Sequence, residues 1–227
     1  MIIISFIFGV LIGNYSTTLL FRVPRGIEIC GINKRVNIRP YCSVCKHPLK
    51  FYEYLPVLSW IFSRFKCNYC GEKINPQYFI LEFSTAFVST IIYLSIGFSE
   101  LYLLLLLLWV STILAGLIQL NSGKIYHELT FVVIAIGMVY RTLSDSSILP
   151  FVTDIALAST FLSLIMKNSR LQIREVINLV LQASTFGLDK IFIVFLTYVI
   201  TKKFIPKNSY LYSLISLSFV TILRNIF

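Results

Sequence analysis

Apolar positions along this chain fall into long unbroken runs, not the three-to-four-residue spacing of a surface helix or the alternation of a half-buried strand. The stretch from Leu101 to Leu120, with Leu103 through Leu108 consecutive, reads as one continuous apolar helix. At about 1.5 Å per residue such a helix covers a hydrocarbon core of roughly 30 Å. Comparable runs lie at 2–21, 78–98, 101–120, 129–142, 148–166, 174–187, 190–202 and 209–223. They predict an all-α polytopic membrane protein of about eight transmembrane helices. The organisation expected is a first transmembrane helix over 1–21, a polar loop over 22–77 and a larger transmembrane domain over 78–227. The first run has no basic stretch before it and passes straight into Arg22-Val23-Pro24-Arg25, so it reads as a retained span and not a cleaved signal.

Composition supports this class, with 57% hydrophobic and 13% charged residues, and charge then orients it. The formal net charge is +10, and half of the 20 Lys and Arg residues fall in the loop: Arg22, Arg25, Lys34, Arg35, Arg39, Lys46, Lys50, Arg64, Lys66 and Lys73. Positive charge gathers on the cytoplasmic side of spans, which predicts a cytoplasmic loop and an outward-facing N-terminus. Eight crossings counted from there also place Lys124, Lys167, Arg170, Arg174, Lys202, Lys203 and Lys207 on the cytoplasmic side. Arg141, Lys190 and Arg224 then face outward. The basic balance is thereby explained by orientation and contact with the lipid bilayer, and no nucleic-acid partner is expected.

The loop holds the clearest chemistry. Cys42-Ser43-Val44-Cys45 and Cys67-Asn68-Tyr69-Cys70 form two Cys-x-x-Cys pairs separated by Lys46 to Lys66. Two thiolates at that spacing point at one centre from a tight turn, and two such turns complete a tetrahedron of about 2.3 Å zinc–sulfur bonds. A loop this small buries little apolar area, so a structural zinc would supply its folding free energy. Disulfides are the alternative, and a reducing cytoplasm disfavours them. His47 is a possible substitute ligand, and Cys30 reads as a spare small residue.

The segment Arg39-Pro40-Tyr41-Cys42-Ser43-Val44-Cys45, then Leu55-Pro56-Val57-Leu58-Ser59-Trp60, then Cys67 through Tyr78 and Leu81-Glu82, resembles the type IV prepilin leader peptidase and N-methyltransferase family. Gly13 to Pro24 is similar to that family's first span and its exit, and Ile205-Pro206-Lys207-Asn208 to the opening of its last. The resemblance implies a bacterial inner-membrane aspartic endopeptidase that removes leaders from type IV prepilin or pseudopilin precursors at the cytoplasmic face. Methylation of the new N-terminus from S-adenosylmethionine would follow. It also implies a periplasmic N-terminus and a role beside a type IV pilus or type II secretion system.

Such proteolysis needs two carboxylates sharing a proton. Where the family has its first aspartate, at the cytoplasmic end of the third span, this chain has Gln119. Where an aspartate follows a Leu-Pro pair, it has His127. An amide exchanges no proton near neutral pH. For the second aspartate, Glu175 in Gln172-Ile173-Arg174-Glu175 is the preferred placement, and Asp189 in Phe186-Gly187-Leu188-Asp189 is the alternative. Topology puts Asp189 on the outer face. The resemblance therefore implies an eroded catalytic pair and impaired proteolysis. An active divergent aspartic or glutamic endopeptidase, or a non-catalytic precursor-binding assembly factor, are the competing expectations.

Other residues carry smaller expectations. Glu82, inside the second span, reads as a proton-bearing or cation-paired group, or one that snorkels to the interface. Asp154 reads as an interfacial cap. Tyr52, Tyr54, Trp60, Phe62 and Phe65 read as packing around the cysteine pairs or resting on headgroups, with prepilin contact as the sharper alternative. Gly9 and Gly13 have the Gly-x-x-x-Gly spacing of helix packing. No phosphate loop, dinucleotide fingerprint or internal repeat stands out.

Overall fold

The computed structural model describes residues 1–27, 40–124 and 126–145, together with Thr197, Ile200, Ser213 and Ile215. Glu175, Asp189, Asp154, Cys30 and the expected spans at 148–166, 174–187, 190–202 and 209–223 lie outside the described residues. The chain divides into two compact units, Met1–Tyr93 and Leu94–Phe227.

Long helices form where the apolar runs predict them: α1 (Ile2–Arg22), α3 (Gln77–Ile96), α4 (Glu100–Ser122) and α5 (His127–Asp145), with the short α2 (Leu58–Ser63) in the loop. Each boundary has a local cause. The Asn75 Oδ1 accepts from the Gln77 amide at 2.9 Å beside Pro76, which starts α3. Ser99 Oγ accepts from the Tyr102 amide to start α4, and Gly123 at φ +67 closes it, its amide donating to the Gln119 carbonyl. Pro24 within the 3-10 turn Val23–Arg25, followed by Gly26 at φ +63, ends α1.

Among the described residues, three helices are long and apolar enough to cross a membrane: Ile2–Arg25, Gln77–Ile96 and Glu100–Ser122. The helix at α5 is 19 residues long but lies outside that set. Its apolar centre, Leu129 to Tyr140, is hemmed by His127 and Glu128 at one end and Arg141 and Asp145 at the other.

In the first unit α1 and α3 pack antiparallel through small residues. The buried stripe of α1 is Ser5, Gly9, Gly13, Ser16 and Leu20, and that of α3 includes Glu82, Thr85, Ala86 and Ser89. A Cβ on Gly9 would stand 2.5 Å from the Ser89 Cβ and 2.7 Å from the Ala86 Cα, and one on Gly13 would stand 2.8 Å from the Glu82 Cα. The backbones are that close because glycine lets them be, as the Gly-x-x-x-Gly spacing predicts. Ser89 Oγ donates across the pair to the Ser5 carbonyl at 2.6 Å. In the second unit α5 packs on α4, which buries residues around most of its circumference.

Candidate metal centre

The two cysteine pairs sit in two knuckles with the same hydrogen-bond frame. In the first, the Cys42 amide donates to the His47 carbonyl at 3.0 Å and the Lys46 amide returns to the Cys42 carbonyl at 3.0 Å. In the second, the Cys67 amide donates to the Glu72 carbonyl at 2.9 Å and the Gly71 amide returns to the Cys67 carbonyl at 2.9 Å. The correspondence extends outward, with Leu49 to Pro40 at 2.8 Å matched by Ile74 to Phe65 at 2.9 Å, and the bridge Tyr41 to Pro48 matched by Lys66 to Lys73. Lys46 and Gly71 hold the same left-handed position, at φ +60 and +72. The loop thus repeats one backbone frame around each of its two Cys-x-x-Cys pairs. Outside the cysteines the paired side chains differ: Lys46 against Gly71, His47 against Glu72, Pro48 against Lys73.

These turns bring four thiols together. The Sγ atoms of Cys42, Cys45, Cys67 and Cys70 all lie within 4.8 Å of one another. Cys42 stands 3.8 Å from Cys70 and Cys45 stands 4.0 Å from Cys67. A disulfide requires about 2.0 Å. A tetrahedron with metal–sulfur bonds of about 2.3 Å has edges of about 3.8 Å, so the cluster has the size of a four-sulfur metal site. All four cysteines are free. His47 is outside the group: its Nδ1 lies 2.8 Å from the Pro48 carbonyl and its ring stacks on Tyr69 at 3.5 Å, pinning one knuckle to the other.

Electrostatics within the cluster also favour a cation. Burial pushes the Cys42 thiol up, but the amides of Cys45 and Val44 and the thiols of Cys45 and Cys67 outweigh it and bring Cys42 down to about 7. At Cys70 the Glu72 amide pulls down, while burial and the thiols of Cys67, Cys45 and Cys42 push it up to about 11. The first thiolate makes the last one hard to form. A divalent cation removes that conflict, since each ligand must be deprotonated to bind.

Glu53 braces the insert against the second knuckle, a role the sequence reading missed. One of its oxygens accepts from the Lys50 amide at 2.8 Å and from the Tyr69 hydroxyl at 3.1 Å, and the other from Asn68 Nδ2 at 3.0 Å. Burial pushes this carboxyl up, and those donors with the Lys50 charge outweigh it, holding it below the usual glutamate value.

The insert is then fastened to α3. Glu82, 3% exposed, accepts with Oε2 from the Val57 amide and from Trp60 Nε1, both at 2.9 Å. Val57 serves as donor from a strained turn, φ +60 and ψ −48, in which the Leu58 amide reaches back to the Pro56 carbonyl at 2.6 Å. The Glu82 side chain therefore faces neutral donors, the Thr17 hydroxyl of α1 among them, a pairing the sequence did not anticipate. Trp60 and Phe65 pack on Tyr78 and Phe79 at the start of α3, with Trp60–Tyr78, Trp60–Phe79 and Phe65–Phe79 ring centroids 6.4, 6.3 and 5.5 Å apart. Of the residues expected to carry chemistry elsewhere, Gln119 is half-buried in the last turn of α4, and His127 and Glu128 are exposed at the start of α5.

Residues 7–96, which span α1, the knuckles and α3, match the family model for the bacterial peptidase A24 N-terminal domain. The chain is 28% identical over 142 residues to a prepilin leader peptidase/N-methyltransferase of Vibrio cholerae, covering 61% of this chain and 56% of that protein. It is 27% identical over 158 residues to the one from Aeromonas hydrophila, covering 61% and 54%. It is 34% identical over 86 residues to the one from Bacillus subtilis, covering 38% and 32%. The chain therefore matches about half of the first two relatives' length and a third of the last. No solved structure matches it.

Proposed function

From the membership of this chain in the prepilin leader peptidase/N-methyltransferase family, carried by its peptidase A24 N-terminal domain at residues 7–96, we propose that it binds or acts on type IV pilin-like precursors with impaired proteolysis. The setting proposed is the cytoplasmic face of a bacterial inner membrane, with the N-terminus periplasmic. The parts are a first span over 1–21, a cytoplasmic zinc loop over 22–77 and a peptidase-like membrane domain over 78–227. Zinc is the metal that best suits four thiolates in a tetrahedron, and with all four positions filled by protein it has a structural role. Cys42, Cys45, Cys67 and Cys70 would hold it. Methyl transfer from S-adenosylmethionine remains part of the family's activity that this chain is proposed to share.

The observation that carries impaired proteolysis is Gln119 in the last turn of α4. Three crossings by α1, α3 and α4 would return the chain to the loop's side of the membrane at that residue, where the resemblance expects an aspartate. A carboxamide there neither activates water nor shares a proton with Glu175 or Asp189. The test is incubation of the purified protein in detergent with a full-length prepilin. Binding without leader removal is the expected result, and methylation of a pre-cleaved pilin would place the surviving activity in methyl transfer. A clean leader cut that disappears in Glu175→Ala would overturn the proposal.

A further inference from the structure

The loop helix α2 is tied beside the first turns of α3, a helix long and apolar enough to cross a membrane. Glu82 lies in the second turn of α3, about 7.5 Å along the axis from its first residue. Its carboxylate holds Val57 and Trp60 at the two ends of the first α2 turn. Trp60 faces inward, 8% exposed, against Tyr78 and Phe79. While that tether holds, α2 stays beside the start of α3.

Its other face is apolar and open. Leu58, Ile61 and Phe62, at the i, i+3, i+4 spacing of one helix face, are 50, 61 and 77% exposed. Aromatic contacts run from just beyond α2 to the exposed surface of α3. Phe65, exposed two residues beyond α2, touches Phe79, and Phe79 stacks on Phe83, which is exposed on α3 as is Ile80. Arg64 and Lys66, both exposed, follow within three residues of the last residue of α2.

Level, continuity and charge therefore agree on one occupant. We propose that α2 is a membrane-surface anchor: Leu58, Ile61 and Phe62 enter the boundary between headgroups and acyl chains of the leaflet on the cysteine loop's side, with Arg64 and Lys66 at the phosphate level. Apolar side chains at an interface with Arg and Lys beside them are the signature of such segments. The anchor holds the four-thiol module against the bilayer, so this loop lies on the membrane and does not project from it. The inference does not depend on which reaction the protein performs or on which face of the membrane the loop occupies.

The experiment reconstitutes the full chain in vesicles of phosphatidylcholine and phosphatidylglycerol whose chains carry bromine near the headgroup or near the chain end. Phe62→Trp in a Trp109→Phe background is compared with Trp109→Phe alone, and the difference reports residue 62. A tryptophan at this exposed position disturbs no packing, and circular dichroism of both proteins verifies the fold. The added emission should be blue-shifted and lose most of its intensity to the shallow bromines, and less to the deep ones. Emission that neither bromine position quenches would overturn the anchor. Emission that shifts only when a prepilin is added, with no quenching by lipid, would also overturn it and assign the face to a protein partner.

Discussion

Lys46 and Gly71 occupy one and the same position in the two cysteine knuckles, each donating its amide back to the first cysteine of its pair with φ near +60 to +72. Glycine takes that conformation freely, whereas an L-residue there costs about 1–2 kcal/mol. Lys46→Gly should relieve most of this, less about 0.5–1 kcal/mol of added chain entropy. The metal should then be held up to a few-fold more tightly. Gly71→Lys should loosen it by about tenfold, from a cost of about 1–2 kcal/mol. Titration against a chelator of known affinity measures both, and equal affinities in all three proteins would contradict the strain argument.

Metal removal has a defined consequence. The unmutated chain should purify with one divalent ion per molecule, and Cys42→Ser should lose it. With the ion gone, four thiols of conflicting ionisation are left to hold two knuckles together, and residues 40–74 should exchange amide hydrogen and be cut by protease far faster. Elemental analysis that finds no metal in the unmutated protein would rule the centre out.

Glu53 gives the loop a pH dependence of known sign. Its folded value is depressed, so the carboxylate contributes stability above the unfolded glutamate value of about 4.3 and loses it as pH falls through the lower folded value. Glu53→Gln should therefore speed amide exchange in the 65–74 segment at pH 7. The difference from the unmutated protein should narrow only as pH falls through that lower folded value, where Glu53 itself becomes neutral. The side chain is partly exposed, so the effect at pH 7 should be of the order of 1 kcal/mol or less. A difference that grows in acid would invert the sign and reject the assignment.

Glu82 should tolerate an amide and not a hydrocarbon. Glu82→Gln keeps an oxygen for the Val57 amide and the Trp60 indole, whereas Glu82→Leu leaves these donors, and the Thr17 hydroxyl, without this acceptor, at about 1–3 kcal/mol for each that stays buried unpaired. Emission from Trp60 in a Trp109→Phe background should stay unchanged in the first and move to the red in the second, as α2 comes away from α3. Identical spectra would show that the aromatic packing alone holds the loop.

Gly9 sets the distance between α1 and α3. Even Gly9→Ala would press on the Ala86 backbone and the Thr85 carbonyl, which cannot rotate away, and the loss should be about 1–3 kcal/mol. Resistance to unfolding in mixed detergent micelles measures it. Gly13→Ala, which meets the Glu82 backbone at 2.8 and 3.1 Å, should be nearly as costly.

Much of this protein is legible in one dimension because membrane spans and metal knuckles are local. An apolar run long enough to cross lipid must be helical, since backbone polar groups find no water there, and so α1, α3 and α4 follow directly from their sequences. Cys-x-x-Cys announces two ligands from one turn, and two such turns announce a site. The Gly9 and Gly13 spacing even indicates which face of α1 meets a neighbour. What the sequence could not decide depends on who meets whom. Glu82 is one acidic residue in an apolar run, and only the fold supplies the Val57 amide and Trp60 indole that satisfy it. Glu53 becomes a brace because the insert doubles back on Asn68 and Tyr69, contacts made far along the chain. The likeness of the two knuckles lies in their hydrogen bonds and in the φ shared by Lys46 and Gly71, which backbone geometry records and residue identity conceals.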